Sequence, residues 1–121
     1  MTLSEVMQQH SFVIVGDTLR EEKYASIIKK AMQEAGYRVQ CVGKELASLN
    51  EVEGEIDIVD LCIRPERGIE LLRECRVPYK GVVIQPGAGS EEITAFLDSR
   101  DIPWLDGCLL VGLRDLPPST M

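Results

Sequence analysis

The stretch Phe12–Val39, "FVIVGDTLREEKYASIIKKAMQEAGYRV", decides the fold class. It opens with an apolar run that ends at Gly16, which is typical of a strand buried on both faces. A polar loop and a helix over about 22–35 follow, with Gly36 as the expected residue after the helix end. The apolar positions of this helix share one face: Tyr24, Ile27, Ile28, Ala31 and Ala35. A second strand over 37–42 completes a strand–helix–strand unit, which predicts parallel strands joined by a crossover helix.

The rest of the chain continues this alternation. The next apolar runs predict strands over 56–63, 80–85 and 102–105. Helices are predicted between them from local signals: Pro65 suits the first helical position, and Ser90 is a plausible N-cap. Thr2 and Glu5 have capping-box spacing in a short N-terminal helix, and an apolar tail over 108–113 ends the pattern. We therefore predict an α/β fold with a parallel sheet and helices on both of its faces.

The composition limits the function classes. A length of 121 residues with 45% apolar residues suits one domain, 1–121, with a single packed core. The net charge of −7 argues against a nucleic-acid surface, which needs clustered lysine and arginine. No apolar run is long enough to span a membrane, and no leader pattern is visible, so we expect a soluble, cytoplasmic protein. The four widely spaced cysteines are expected to be reduced thiols rather than disulfides or metal ligands.

In an open parallel sheet the ligand lies beyond the carboxyl ends of the strands. The first such loop offers Gly16, which permits a sharp turn, together with Thr18, Lys23 and the following helix N-terminus. These groups can hold a pyrophosphate, and they equally suit an ordinary strand-to-helix turn. The loop has neither the GxGxxG spacing of dinucleotide sites nor the GxxxxGK[ST] of nucleoside triphosphate loops.

Two further loops carry candidate groups. Arg64 follows the third strand and can contact a nucleotide phosphate, although it can also be a surface arginine ahead of Pro65. After the fourth strand, Gln85 is expected to face the crevice. Gly87 and Gly89 permit close approach of a ligand to the backbone, or a flexible turn.

The order of these loops, "VIVG-x-T … EKYA … GYRV … DIVDL-x-IRPE … KGVVIQPG … D-x-C", resembles the small CoA-binding protein family. Its members are stand-alone domains similar to the N-terminal domain of the succinyl-CoA synthetase alpha subunit. The resemblance runs from about Phe12 to Cys108. It implies a Rossmann-like three-layer sandwich with a five-stranded parallel sheet, and CoA lying across the carboxyl ends of the strands.

The resemblance also implies which residues meet the ligand. They are Gly16, Asp17, Thr18, Lys23, Tyr24, Gly43, Lys44, Arg64, Pro65, Gln85 and Gly87. Two positions depart from the family pattern. Gly43-Lys44 replaces the usual Asn-Pro at the nucleotide end, where Lys44 can still meet a ribose phosphate. Asp17 stands where a small or apolar residue is usual, and its carboxylate weakens phosphate binding unless it points away or pairs with Arg20 or Lys23.

No catalytic constellation is recognisable. The one histidine, His10, precedes the first strand and so lies at the wrong end of it. Cys108 matches the last motif and can be a nucleophile or form a mixed disulfide, but a buried apolar role is favoured. We therefore predict a non-catalytic CoA or acyl-CoA binding protein without a metal.

Two alternatives stay open. One is an adenine-dinucleotide domain, which the absence of an acid directly at the end of strand two disfavours for NAD. The other is a degenerate domain that acts through a protein partner or a homodimer, using Trp104, Leu105 and the apolar tail.

Overall fold

The computed structural model describes residues 1–115. Its strands are β1 (Ser11–Gly16), β2 (Arg38–Gly43), β3 (Ile56–Cys62), β4 (Tyr79–Ile84) and β5 (Trp104–Asp106). Its helices are α1 (Leu3–Met7), α2 (Tyr24–Glu34), α3 (Pro65–Glu74), α4 (Glu91–Ser99) and α5 (Leu109–Asp115). A 3₁₀ turn, Leu49–Glu51, lies between β2 and β3. No helix within residues 1–115 has both the length and the apolar character needed to cross a bilayer.

The five strands form one sheet in which every pairing is parallel. The strand order is β2-β1-β3-β4-β5. The chain therefore leaves β1 toward one edge of the sheet and continues from β3 toward the other, so the order reverses between β1 and β3. Gly16 pairs with Gly43 on one side and Cys62 on the other, which aligns the carboxyl ends of these three strands.

Apolar residues fill both faces of the sheet. On one face Val13 and Val15 belong to a core shared with residues of α3 and α4, such as Leu72 and Ile93. On the other face, a second core joins β1 to α1, α2 and α5. The result is a three-layer α/β arrangement of the Rossmann-like kind, as predicted.

The local helix signals are confirmed. Thr2 and Glu5 form the predicted capping box, with Thr2 N donating to Glu5 Oε1 at 2.8 Å. Ser90 caps α4 by accepting from Ile93 N at 3.2 Å. At the end of α2, Gly36 has a φ of +93°. The backbone N–H groups of Gly36 and of the residue after it donate back to carbonyl groups in the last turn of α2, which is the hydrogen-bond pattern of a Schellman motif.

The predicted inner face of α2 is wrong in part. Its buried residues are Ala25, Ile28 and Met32, whereas the side chains of Tyr24 and Ile27 are 52% and 45% exposed. The buried stripe is rotated by about one residue, because Met32 buries more apolar surface than Ala31 offers.

The predicted apolar tail, 108–113, is part of the fold. From Leu109 onward it forms the first part of α5, which packs against α1 and α2, and Leu109 is fully buried there. At Gly112, an added Cβ would approach Met7 Sδ to 2.6 Å, so α1 and α5 are in close contact.

Candidate functional site

A cavity of about 530 Å³ opens at the carboxyl edge of the sheet, where the strand order reverses. Its walls come from the loops after β1, β2, β3 and β4. Six of the eleven residues predicted to meet a ligand line it: Asp17, Lys23, Tyr24, Lys44, Arg64 and Gly87. Residues that are distant along the chain are therefore brought together where open parallel sheets usually place ligands.

The cavity is basic although the chain is acidic. Four of its lining residues carry positive charge: Arg20, Lys23, Lys44 and Arg64. Asp17 is the only acidic residue among the lining residues. Within residues 1–115, Lys23, Lys44 and Arg64 form no ion pair. The residues that line the cavity therefore carry an excess of positive charge.

Two helices begin at the cavity without a side-chain cap. Lys23 is the N-cap of α2 and Arg64 the N-cap of α3, and neither helix receives a side-chain hydrogen bond at its N-cap. The first amide groups of α2, those of Tyr24 and Ala25, have no acceptor among the described residues. Unsatisfied N–H groups and the helix dipole both favour an anion at such a position.

The carboxylate of Asp17 is turned back into its own loop. Its Oδ1 accepts from Leu19 N at 3.1 Å and from Arg20 N at 3.2 Å. Its Oδ2 lies 3.8 Å from Arg20 Nε. Desolvation raises the pKa of Asp17, but the two N–H groups and the Arg20 guanidinium lower it by a larger amount. The pKa of Asp17 therefore lies below the usual value. Asp17 is thus an ionised carboxylate that lines the cavity, bonded to its own loop and paired with Arg20.

Thr18 does not line the cavity. Its side chain is buried, and its hydroxyl donates to a carboxylate oxygen of Glu45. The same oxygen of Glu45 accepts from Lys29 Nζ at 2.8 Å. Desolvation raises the pKa of Glu45, and the bonds from Lys29 and Thr18 lower it below the usual value. Glu45, which was not predicted as a site residue, therefore connects the loop after β1 to the loop after β2.

Gly16 and Gly43 serve strand packing. A Cβ at Gly16 would collide with the carbonyl oxygen of Cys62, and one at Gly43 would lie 2.8 Å from the carbonyl oxygen of Gly16. Pro65 occupies the first position of α3 and does not line the cavity. By contrast, a Cβ at Gly87 (φ +88°) would have no neighbour within 4 Å, since this residue faces open space.

Gln85 does not line this cavity, although it borders a neighbouring one at the end of β4. It is 2% exposed, and its Nε2 donates to Asp60 Oδ1 at 2.7 Å. The other two oxygens of the pair, Asp60 Oδ2 and Gln85 Oε1, are buried without a partner among residues 1–115. Burial raises the pKa of Asp60 to about 7. The sequence signal for this pair is the carboxyl group of Asp60 within the apolar run 56–63, and the pair itself was not predicted.

Sulfur groups lie beside the cavity. Cys62, not predicted as a site residue, lines it, and burial raises the pKa of its thiol to about 12. Cys108 is buried as predicted, with its Sγ 3.5 Å from Tyr24 Oη. His10 stands at the amino end of β1, where its backbone N–H donates to Asp57 Oδ2 at 3.0 Å. His10 therefore lies at the opposite end of β1 from Cys62 and Cys108.

Comparison with known proteins identifies the family. A family model described as "CoA binding domain" matches residues 10–114. The curated protein YneT of Bacillus subtilis, described as uncharacterized, is 32% identical over 75 residues. That match covers 54% of this chain and 56% of YneT, so the chain matches little more than half the length of this relative.

Solved structures share the fold. A conserved hypothetical protein from Pyrococcus furiosus is 25% identical with a TM-score of 0.75, over 85% of this chain and 98% of its own. A hypothetical protein from Pyrococcus horikoshii OT3 is 20% identical with a TM-score of 0.82, over 93% and 88% of the two chains. The PH1109 protein redesigned for binding is 17% identical with a TM-score of 0.84, over 98% and 92%. The match over residues 10–114 shows that this chain belongs to the CoA-binding domain family.

Proposed function

We propose that this protein is a non-catalytic binder of CoA or acyl-CoA, which holds its ligand across the carboxyl ends of the parallel strands. One observation carries the proposal: three unpaired cations and two uncapped helix N-termini converge on one cavity at the reversal of the strand order. Membership of the family supports CoA as the anionic ligand.

The residues present suit the chemistry of CoA, whose pyrophosphate and ribose phosphate are anionic and whose thiol carries acyl groups. Lys23, Arg64 and the free N–H groups of Tyr24 and Ala25 would hold the pyrophosphate. Lys44 follows β2, the strand at the nucleotide end, and would meet the ribose phosphate. Gly87 leaves space for the rest of the ligand to pass the loop after β4.

The non-catalytic role is proposed because of the residues that line the cavity. The raised pKa of Cys62 keeps its thiol protonated at neutral pH, and a thiol is a far weaker nucleophile than a thiolate. The Asp17 carboxylate accepts hydrogen bonds from its own loop, and its lowered pKa makes it a weaker base than an ordinary carboxylate. The role that fits these residues is carrying or sensing the ligand.

The alternative ligands and partners have less support. An NAD site would use an acid near the end of β2 for the ribose, and Glu45 is already bound to Thr18 and Lys29. The proposed partner surface is partly packed within the chain as well, since Trp104 and Leu105 each contact a core and α5 packs against α1 and α2. If none of the nucleotides binds in the titration described next, the hypothesis of a protein partner or a homodimer is favoured.

The test is a calorimetric titration with CoA in reductant, with NAD and ATP as comparison ligands. Lys23→Ala and Arg64→Ala should each weaken CoA binding by roughly tenfold or more, because each removes a charge-assisted contact. Lys30→Ala and Arg67→Ala are matched controls, since neither residue lines the cavity, and they should bind CoA normally. A folded protein that binds none of the three nucleotides would contradict the proposal.

A further inference from the structure

A second cavity, of about 610 Å³, lies beside the first at the ends of β4 and β5. Pro86 and Gly87 line both cavities, so only the loop after β4 stands between them. The remaining walls of the second cavity include the first turn of α4 and Asp106 at the end of β5. A long ligand whose phosphates occupy the first cavity can therefore extend into the second.

The two cavities have opposite charge. The second is lined by two acidic residues, Glu91 and Asp106, and by no basic residue among those described. Within residues 1–115 neither carboxylate forms an ion pair or accepts a side-chain hydrogen bond. The neighbouring Glu92 differs, because Arg73 Nη2 donates to it at 2.8 Å. The second cavity is thus a locally negative space next to a positive one.

The floor of the second cavity is kept open by a glycine. A Cβ at Gly89 would lie 3.0 Å from Ile84 Cγ2 and 3.8 Å from Asp106 Oδ1. With no side chain there, the Asp106 carboxylate and the Ile84 side chain border the same space. The backbone N–H groups of Gly87 and Gly89, two residues that line this cavity, have no acceptor among the described residues.

We infer that the second cavity receives the acyl end of the ligand, and that Glu91 and Asp106 weaken the binding of CoA thioesters whose acyl group ends in a carboxylate. The inference rests on the proposed function. The free N–H groups suit the thioester carbonyl, Ile84 suits a short aliphatic chain, and the two carboxylates repel a third. The ligands are then CoA thioesters with neutral or amine-bearing acyl groups.

The test compares three thioesters of matched chain length: butyryl-CoA, succinyl-CoA and β-alanyl-CoA. Their acyl groups end in a methyl, a carboxylate and an ammonium respectively. Calorimetry should give succinyl-CoA an affinity roughly three- to tenfold below that of butyryl-CoA at low ionic strength, as expected for like charges at a solvent-exposed site. Added salt should narrow this gap. β-Alanyl-CoA should bind at least as tightly as butyryl-CoA.

The double variant Glu91→Gln/Asp106→Asn should bring the butyryl-to-succinyl affinity ratio close to one. The control Glu34→Gln/Glu74→Gln removes two charges at the carboxyl-terminal ends of α2 and α3 and should keep the wild-type ratio. Equal binding of the two thioesters by the wild type, or a ratio unchanged in the double variant, would overturn the inference. Those results leave CoA binding itself intact, whereas loss of all CoA binding would overturn the proposed function.

Discussion

Asp60 is the residue whose environment departs most from what its type prefers. It lies in the middle of β3, fully buried, with Gln85 as its one hydrogen-bond partner within residues 1–115. A protonated carboxyl group and a primary amide can form two hydrogen bonds to each other, which would satisfy both of the oxygens that otherwise have no partner. Burial raises the pKa of Asp60 to about 7, so the protonated carboxyl group is the main form of Asp60 in the folded state below about pH 7.

This predicts how stability depends on pH. The pKa of Asp60 is about 7 in the folded protein and about 3.8 when unfolded, so the folded state binds the proton more tightly. The free energy of unfolding should fall as pH rises from about 5 to about 8, by up to a few kcal/mol. Urea unfolding at the two pH values measures this change. Asp60→Asn should flatten it, and an equal pH dependence in wild type and variant would contradict the prediction.

Thr18 gives the second prediction at the residue scale. Because its hydroxyl donates to Glu45, Thr18→Val should destabilise the fold by about 1–2 kcal/mol and leave CoA affinity nearly unchanged. Thr18→Ser keeps the hydroxyl and serves as the control. Denaturant midpoints and calorimetric titrations measure the two effects. A large loss of CoA affinity with unchanged stability would restore Thr18 to the ligand site.

At the scale of elements, the sequence predicted what depends on near neighbours. The cap at Ser90, the helix start at Pro65 and the glycine after α2 follow from contacts within a few residues, and all three are confirmed. The inner face of α2 was not predictable in the same way. It depends on how the helix rests on β1 and α5, which local periodicity does not specify when Ile27 and Ile28 are both apolar.

The corrected face of α2 is testable with one matched pair. Ile28 is fully buried and Ile27 is 45% exposed. Ile28→Ala should therefore cost about 2–5 kcal/mol of unfolding free energy, through lost burial and the cavity left behind. Ile27→Ala should cost less than about 1 kcal/mol. Chemical denaturation measures the loss of unfolding free energy for both variants. Comparable losses would mean that α2 buries the predicted face, which contains both Ile27 and Ile28.

At the scale of the whole molecule, the sequence predicted a cavity at the carboxyl edge of the sheet but not all of the residues that line it. Parallel strands place all their following loops at one edge, so Asp17, Lys44 and Arg64 could be assigned to it from the sequence. Whether a loop residue lines the cavity or supports it depends on pairings across the sheet. The Thr18 side chain donates a hydrogen bond to Glu45, and the Gln85 side chain donates one to Asp60. Nothing close to Thr18 or Gln85 in the sequence indicates these partners.

The contact made by Lys44 tests the orientation of the whole ligand. If the ribose phosphate lies at β2 and the acyl end at β4 and β5, Lys44 meets only the phosphate that distinguishes CoA from 3′-dephospho-CoA. Lys44→Ala should then weaken CoA by roughly tenfold and leave dephospho-CoA unchanged, since one charge-assisted contact is lost in the first case alone. Calorimetric titration of both ligands against both proteins measures this. An equal loss for the two ligands would place Lys44 at the pyrophosphate, and with it would shift the whole ligand along the edge of the sheet.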